Sequence, residues 1–290
     1  MTYLNPQYLT STEELASMLE TETNGLRVFD VNVTLVPKAT GYAPVSGIDD
    51  YMKAHIPGAA FIDLMNDFSD RTSDFGFMLP SPELLESACR AAGIGTDDQV
   101  VIYSSGHMMW ATRFWWMLYS CGHKNVSVLD GGFAKWQAED RMVASEKSVY
   151  PSGNFSVELN LDRWADKAGV LAAVKASDVC TINALSPGVY SGDAEMSYGR
   201  KGHIENSKNV FYADLLDEGC FRNADALRGI FQSKGVLDKP RVISYCGGGI
   251  SATIDALGLA LIGYDNVAIY DGSMGEWARD KELPLILGAD

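Results

Sequence analysis

At 290 residues, 47% of them hydrophobic, the chain is long for one α/β domain and fits two of about 140 residues each. Lys and Arg number 23 against 38 Asp and Glu, a formal net charge of −15. That field argues against nucleic acid and anionic membrane surfaces as partners, since both require a basic patch, and a small anionic substrate would need a locally positive pocket.

The opening residues, MTYLNPQYLT, lack the basic and apolar blocks of a secretory signal, and no apolar run approaches the roughly 18 residues of a membrane span. A cytoplasmic setting is expected. The five cysteines, Cys89, Cys121, Cys180, Cys220 and Cys246, form no CxxC pair. Reduced thiols are expected, with chemistry resting on one cysteine and not on bridges or a zinc knot. The histidines, His55, His107, His123 and His203, are too scattered for metal ligation, so no metal and no other cofactor is expected.

In chain order, 25–30 reads as a strand, and HIPGAAFIDL (55–64) follows, with His55 read as a hydrogen-bonded turn residue. PELLESACRAAG (82–93) has helical periodicity, and VVIY (100–103) is a strand. After Tyr103 come a small-residue loop, an apolar helix containing RFWWML (113–118), a turn at Gly122, a β-rich run, Asp130 and Trp136. Trp110, Trp115 and Trp116 read as core or domain-interface residues. The stretch 143–160 is polar, contains Pro and Gly, and lacks periodicity, which marks a seam.

The same order then returns: a strand at 179–184, HIENSKNVFYADL (203–215), the helical ADALRGIFQSKG (224–235), RVISY (241–245), a glycine-rich loop and an apolar helix. Tyr245, Gly263, Asp271 and Trp277 answer Tyr103, Gly122, Asp130 and Trp136. Strands alternating with helices predict an α/β fold of two tandem domains, each a mainly parallel sheet flanked by helices, spanning 1–145 and 155–290.

The two copies differ after the equivalent tyrosines. The first loop, Ser-Ser-Gly-His-Met-Met-Trp, has no thiol. The second is Cys246-Gly247-Gly248-Gly249-Ile250-Ser251-Ala252. A loop at the carboxyl end of a parallel strand sits where ligands bind in such sheets. The following helix points its free N–H groups and positive dipole end at the sulfur, the glycines let successive amides face one centre, and Ser251 can donate or cap. This combination should favour the thiolate and then stabilise a negative terminal sulfur, as a persulfide requires. The other four cysteines have no such cradle and read as small buried apolar residues.

With HIPGA (55–59), DRTSDFGFMLPSP (70–82), RFWWML (113–118), VLDGGFAKW (128–136), CGGGISA (246–252) and YDGSMGEW (270–277) in hand, the chain resembles the tandem rhodanese-domain sulfurtransferases, the 3-mercaptopyruvate and thiosulfate enzymes, over about residues 26–285. The resemblance implies a catalytically silent first copy and a second copy in which Cys246 forms a persulfide, taking sulfane sulfur from a small anionic donor and passing it to a thiol or cyanide. CGGGISA is closer to the mercaptopyruvate-type loop. Thiosulfate-type loops place a basic pair where this chain has Gly247 and Gly248, and mercaptopyruvate enzymes usually carry a serine at the place of Gly248.

The family's donor-binding arginines are replaced by Leu185 and Val189, which leaves Arg200 and Lys201 as the expected substrate-binding residues. HIENSKN also departs from the HIPG pattern. These departures keep a second reading open, a non-catalytic rhodanese-like module that binds sulfur or another protein. A cysteine phosphatase is disfavoured, because the sixth residue after Cys246 is Ala252 and not an arginine.

Overall fold

The structure, a computed structural model, describes residues 2–38 and 42–289. In the first half, strands β1 (Leu9–Thr10), β2 (Leu26–Val31), β3 (Ala60–Ile62), β4 (Gln99–Tyr103) and β5 (Val126–Leu129) form a wholly parallel sheet in the order β1-β5-β4-β2-β3. In the second, β6 (Trp164–Ala165), β7 (Val179–Asn183), β8 (Lys208–Asn209), β9 (Arg241–Tyr245) and β10 (Val267–Tyr270) repeat it as β6-β10-β9-β7-β8, again parallel throughout. The sequence places the first sheet strands at 25–30 and 179–184. Each is preceded instead by a two-residue edge strand, too short to show an alternating pattern.

Helices α1 (Thr12–Glu20), α2 (Pro82–Ala91), α3 (Met108–Ser120) and α4 (Gly132–Ala138) are answered by α5 (Lys167–Ala173), α6 (Ala224–Ser233), α7 (Ala252–Leu261) and α8 (Ser273–Trp277). The outer helices α2 and α6 are amphipathic. Each is capped by a side chain, Ser81 or Asn223, and buries a pair four residues apart, Leu85 with Cys89 and Leu227 with Phe231.

The central helices differ. Residues 110–118 of α3 and every residue of α7 are buried, because each helix covers its own sheet and also packs against its counterpart. A helix apolar on all sides has no other place to go. The contact runs through corresponding positions of the repeat, Thr112 and Thr253, whose Oγ1 atoms lie 2.8 Å apart. Trp110, Trp115 and Trp116 are buried in this core, the role expected of them.

The repeated signature residues have repeated jobs. Tyr103 and Tyr245, at the ends of β4 and β9, each accept an amide N–H, from Ile56 and Ile204, at 3.0 Å. His55 stacks on Tyr51 at 3.9 Å and His203 on Tyr190 at 3.7 Å, each with Nδ1 on that tyrosine's carbonyl. They are turn joints. HIENSKN breaks the HIPG pattern in letters only, since Asn206 (φ 63°) takes the left-handed position held by Gly58 (φ 78°) in the first copy. Asparagine tolerates that region far better than other side chains.

Chain segments also cross between the halves. Tyr3 Oη donates to the carbonyl of Arg222 at 2.8 Å, and the Leu4 N–H to that of Leu261 at 2.9 Å, so the first residues of the chain lie on the second half. The seam is not a free linker. The N–H groups of Gly153 and Phe155 bond to the carbonyls of Arg90 and Ile94 beside α2, and Phe155 is 2% exposed. An antiparallel hairpin, Val33–Pro37 with Tyr42–Ser46, leaves the first sheet and carries Leu35 toward the second half. Among the described residues no helix is long and apolar enough to cross a membrane.

Candidate active site

Strand β9, buried at all but its first residue, delivers Cys246 to its carboxyl end, beside the start of α7. Cys246 is 2% exposed, yet its side chain lines a cleft of about 270 Å³. The first half contributes Leu35, Phe75, Phe77, Met109 and Trp110 to the walls; the second contributes Tyr198, Gly247, Gly248, Ile250 and Ser251. Both halves therefore build the cavity around one sulfur. The only charged side chain lining it, among the described residues, is Arg279, whose guanidinium lies 5.0 Å from the centroid of the Phe75 ring.

The loop is held from behind. The N–H groups of Cys246 and Gly249 both donate to Ser273 Oγ, at 3.1 and 3.0 Å, and the carbonyls of Cys246 and Gly247 accept from Met274 and Gly275 of α8 at 3.0 and 2.7 Å. The amide of Gly249, expected in the cradle, is thus taken by Ser273. The amides of Gly247, Gly248, Ile250, Ser251 and Ala252 have no acceptor among the described residues. Ser251 does not cap α7 with its side chain, so its hydroxyl stays available to the cleft.

The three glycines are not equivalent. A Cβ on Gly247 would lie 2.1 Å from Tyr198 Cζ. One on Gly249, at φ 71°, would lie 2.7 Å from the Asp271 carbonyl. One on Gly248 would meet nothing within 4 Å. Tyr198 thus lies directly over the cysteine loop. Burial, and then the nearness of Cys246, raises the phenol pKa of both Tyr198 and Tyr212, so each keeps its proton as a donor. His107, in the first-half loop that answers the cysteine loop, does not line the cleft; it stands edge-on to Tyr212 at 5.2 Å and accepts the Met109 N–H on Nδ1.

Arg113 of α3 also reaches this loop. It is wholly buried, with Nη1 2.7 Å from Asp271 Oδ1 and 3.2 Å from the Gly249 carbonyl, and with Nη2 2.6 Å from the Phe77 carbonyl.

Cys246 lies on the cleft with Gly247, Gly248, Ile250 and Ser251 of its loop, while Gly249 and Ala252 do not line it. Arg200 and Lys201 do not join Cys246 there. Arg200 donates to the carbonyls of Trp277, Ala278, Asp280 and Leu283, stapling the chain after α8, and neither residue lines the cleft. The positive charge at the cleft is Arg279. Sequence reading also assigns no role to Tyr198, Ser273, Asp271 or Arg113, although the last three lie inside quoted motifs. The remaining cysteines stand apart. Burial pushes Cys121 up to about 12 and raises Cys89, Cys180 and Cys220 as well, which keeps those thiols protonated.

The profile of the rhodanese-like domain matches residues 11–139 and 190–280. Over 239 residues the chain is 35% identical to the 3-mercaptopyruvate sulfurtransferase of Escherichia coli (strain K12), which covers 81% of this chain and 84% of that one. Over 281 residues it is 34% identical to the thiosulfate sulfurtransferase of Mus musculus, covering 93% and 92%. The crystal structure of SseA from Escherichia coli, described as a 3-mercaptopyruvate sulfotransferase with the rhodanese fold, superposes with a TM-score of 0.82 at 31% identity, over 92% of this chain and 98% of that one.

Proposed function

The chain belongs to the rhodanese-like family and is a sulfurtransferase, and from that premise we propose that it carries sulfane sulfur as a persulfide on Cys246, within a second domain of 155–290 fronted by a catalytically silent domain of 1–145. The observation that carries this reading is the position of Cys246: one thiol on a cleft, at a strand end, beside five backbone amides of 247, 248 and 250–252 with no acceptor among the described residues. Hydrogen bonds to a charged acceptor contribute roughly 1.5–3 kcal/mol each, so a few such donors suffice to favour an anionic sulfur there.

The donor is a small anion, and the cleft favours 3-mercaptopyruvate over thiosulfate. Apolar walls suit a carbon skeleton, and Arg279, the one cation lining the cleft among the described residues, suits a single carboxylate. The Cys246 thiolate attacks the donor sulfur and an S–S bond forms. The C–S bond breaks with its electron pair left on carbon, and the resulting enolate takes the proton from the transferred sulfur. Pyruvate departs, leaving the persulfide anion. With thiosulfate the broken bond is S–S and sulfite leaves. A thiol, as thiolate, or cyanide then attacks the outer sulfur and regenerates the Cys246 thiolate. This is covalent catalysis in two half-reactions. Sulfurtransferase relatives favour it over a purely sulfur-binding or protein-interaction module. Five free thiols suit a reducing cytoplasm.

The test compares Cys246→Ser with the unmodified enzyme. Exposure to 3-mercaptopyruvate should add the mass of one sulfur atom to the enzyme and nothing to the variant, and the variant should transfer no sulfur to cyanide or a thiol. An adduct or turnover in the variant rejects the assignment. Equal kcat/KM for mercaptopyruvate and thiosulfate rejects the donor preference.

A further inference from the structure

Among the described residues six that are not glycine have positive φ: Glu22, Phe77, Asp140, Asn206, Glu218 and Ser273. Of these only Ser273 is wholly buried, and only Ser273 hydrogen-bonds to the cysteine loop. A serine gains nothing locally from φ 48°, so the surrounding structure must impose that conformation.

The first copy shows what the fold itself needs at this place. The repeat that aligns Asp130 with Asp271 aligns Gly132 with Ser273, and Gly132 sits at φ 56°. The Phe133 N–H there bonds to the Ser104 carbonyl at 3.3 Å, as the Met274 N–H bonds to the Cys246 carbonyl at 3.0 Å. The left-handed residue and the bond that follows it are therefore common to both copies, although Gly131 before it sits at φ 83° where Gly272 sits at φ −65°, and glycine takes the left-handed position without strain. The copy with the cysteine has a serine there, and the hydroxyl is fully used. It accepts the N–H groups of Cys246 and Gly249 and donates to the Tyr270 carbonyl at 2.7 Å. It thus ties the first and fourth residues of the loop to one oxygen, leaving the amides of 247, 248, 250, 251 and 252 as those free to face a ligand.

Resting on the assignment of Cys246 as sulfur carrier, we infer that Ser273 is a positioning residue for sulfur transfer, retained on strained backbone because its hydroxyl fixes the shape of the persulfide loop. It touches the loop backbone and does not line the cleft, so it acts through Cys246 and not on the donor. Loss of the hydroxyl should slow the covalent step and leave donor binding, which belongs to Arg279 and the apolar walls, nearly unchanged.

Two variants separate the hydroxyl from the strain. Ser273→Gly removes both and copies the silent half; Ser273→Ala removes the hydroxyl and keeps the strain. The glycine variant should unfold at higher temperature than the alanine variant, yet both should show kcat reduced about 10- to 100-fold, with KM for 3-mercaptopyruvate within about twofold of the parent. Single-turnover loading of Cys246, followed by mass, should slow by the same factor. A folded Ser273→Gly with parental kcat and loading rate overturns the inference, as does a loss confined to KM. Should the glycine variant fail to fold, loading of the folded alanine variant decides by the same criterion. Cys246→Ser in parallel keeps the two claims apart: turnover in that variant defeats the carrier assignment, whereas a dead Cys246→Ser beside a fully active Ser273→Gly defeats only the role of Ser273.

Discussion

Arg113 and Asp271 form an ion pair across the two halves, Nη1 to Oδ1 2.7 Å, with the arginine wholly buried and the carboxylate also accepting the Leu79 N–H at 2.7 Å. Its counterpart in the repeat, Asp130, likewise reaches across to accept the Phe221 N–H at 2.9 Å. The approximate two-fold symmetry fails at the cation, since the position matching Arg113 is Ile254. The half that lacks a counterpart of Cys246 therefore supplies a charge that touches the cysteine loop at the Gly249 carbonyl.

Removing one partner of a buried pair strands the other, at a cost of about 3–5 kcal/mol. Arg113→Met should destabilise the protein by that order in urea unfolding, and Arg113→Met with Asp271→Asn should cost clearly less than the sum of the two singles. Strict additivity would show that the pair is not coupled.

The glycine triplet gives a graded prediction. Gly248→Ala adds a methyl to open space at negative φ, so stability should stay within about 0.5 kcal/mol and Cys246 should still load. Gly247→Ala forces Tyr198 aside, so the protein should fold with altered donor kinetics. Gly249→Ala meets a positive φ and the Asp271 carbonyl together, and should lose roughly 2 kcal/mol or more along with activity. Thermal unfolding and loading by mass rank the three, and any other order contradicts the geometry.

Much of this architecture is legible in the sequence because the repeat preserves function-neutral joints. Trp136 and Trp277 are an example: each donates Nε1–H to a carbonyl just beyond its helix, Met142 at 2.8 Å and Pro284 at 2.9 Å. Cys246 is legible because thiol, glycines and helix start are adjacent in the chain. Arg200 is misread because closeness in sequence to a family motif says nothing about which carbonyls capture a guanidinium. Arg279 and Tyr198 reach the cleft from separate segments, so only tertiary structure joins them to Cys246. Ser273 carries no signal, since nothing in a serine announces a left-handed backbone.

Arg279 should govern donor binding and not chemistry. Removing an exposed charge that contacts ground state and transition state alike raises KM and leaves kcat. Arg279→Ala should raise KM for mercaptopyruvate roughly three- to tenfold, and Arg279→Glu further, while the loading rate at saturating donor holds. Added salt should raise KM in the parent more than in the alanine variant. An unchanged KM would mean that the donor carboxylate is held elsewhere.

Asp255 sets a pH dependence of stability. It lies on α7 with no exposure, Oδ2 accepts only a 3.4 Å bond from Ser244, and Oδ1 has no partner among the described residues. Burial holds its carboxyl pKa well above the ordinary range, only partly offset by Ser244. The folded chain therefore keeps a proton that the unfolded chain releases near pH 4. Stability from this group is complete below about pH 4 and falls as pH rises toward the folded value, by about 1.4 kcal/mol per pH unit between the two. Asp30, raised by burial to about 7, adds a loss of the same sign between roughly pH 4 and 7. Asp255→Asn removes one of these slopes and leaves the other. The stability of the variant relative to the parent should therefore climb as pH rises from about 4 toward the folded value in urea titrations. Parallel curves for variant and parent would show that Asp255 is not held protonated.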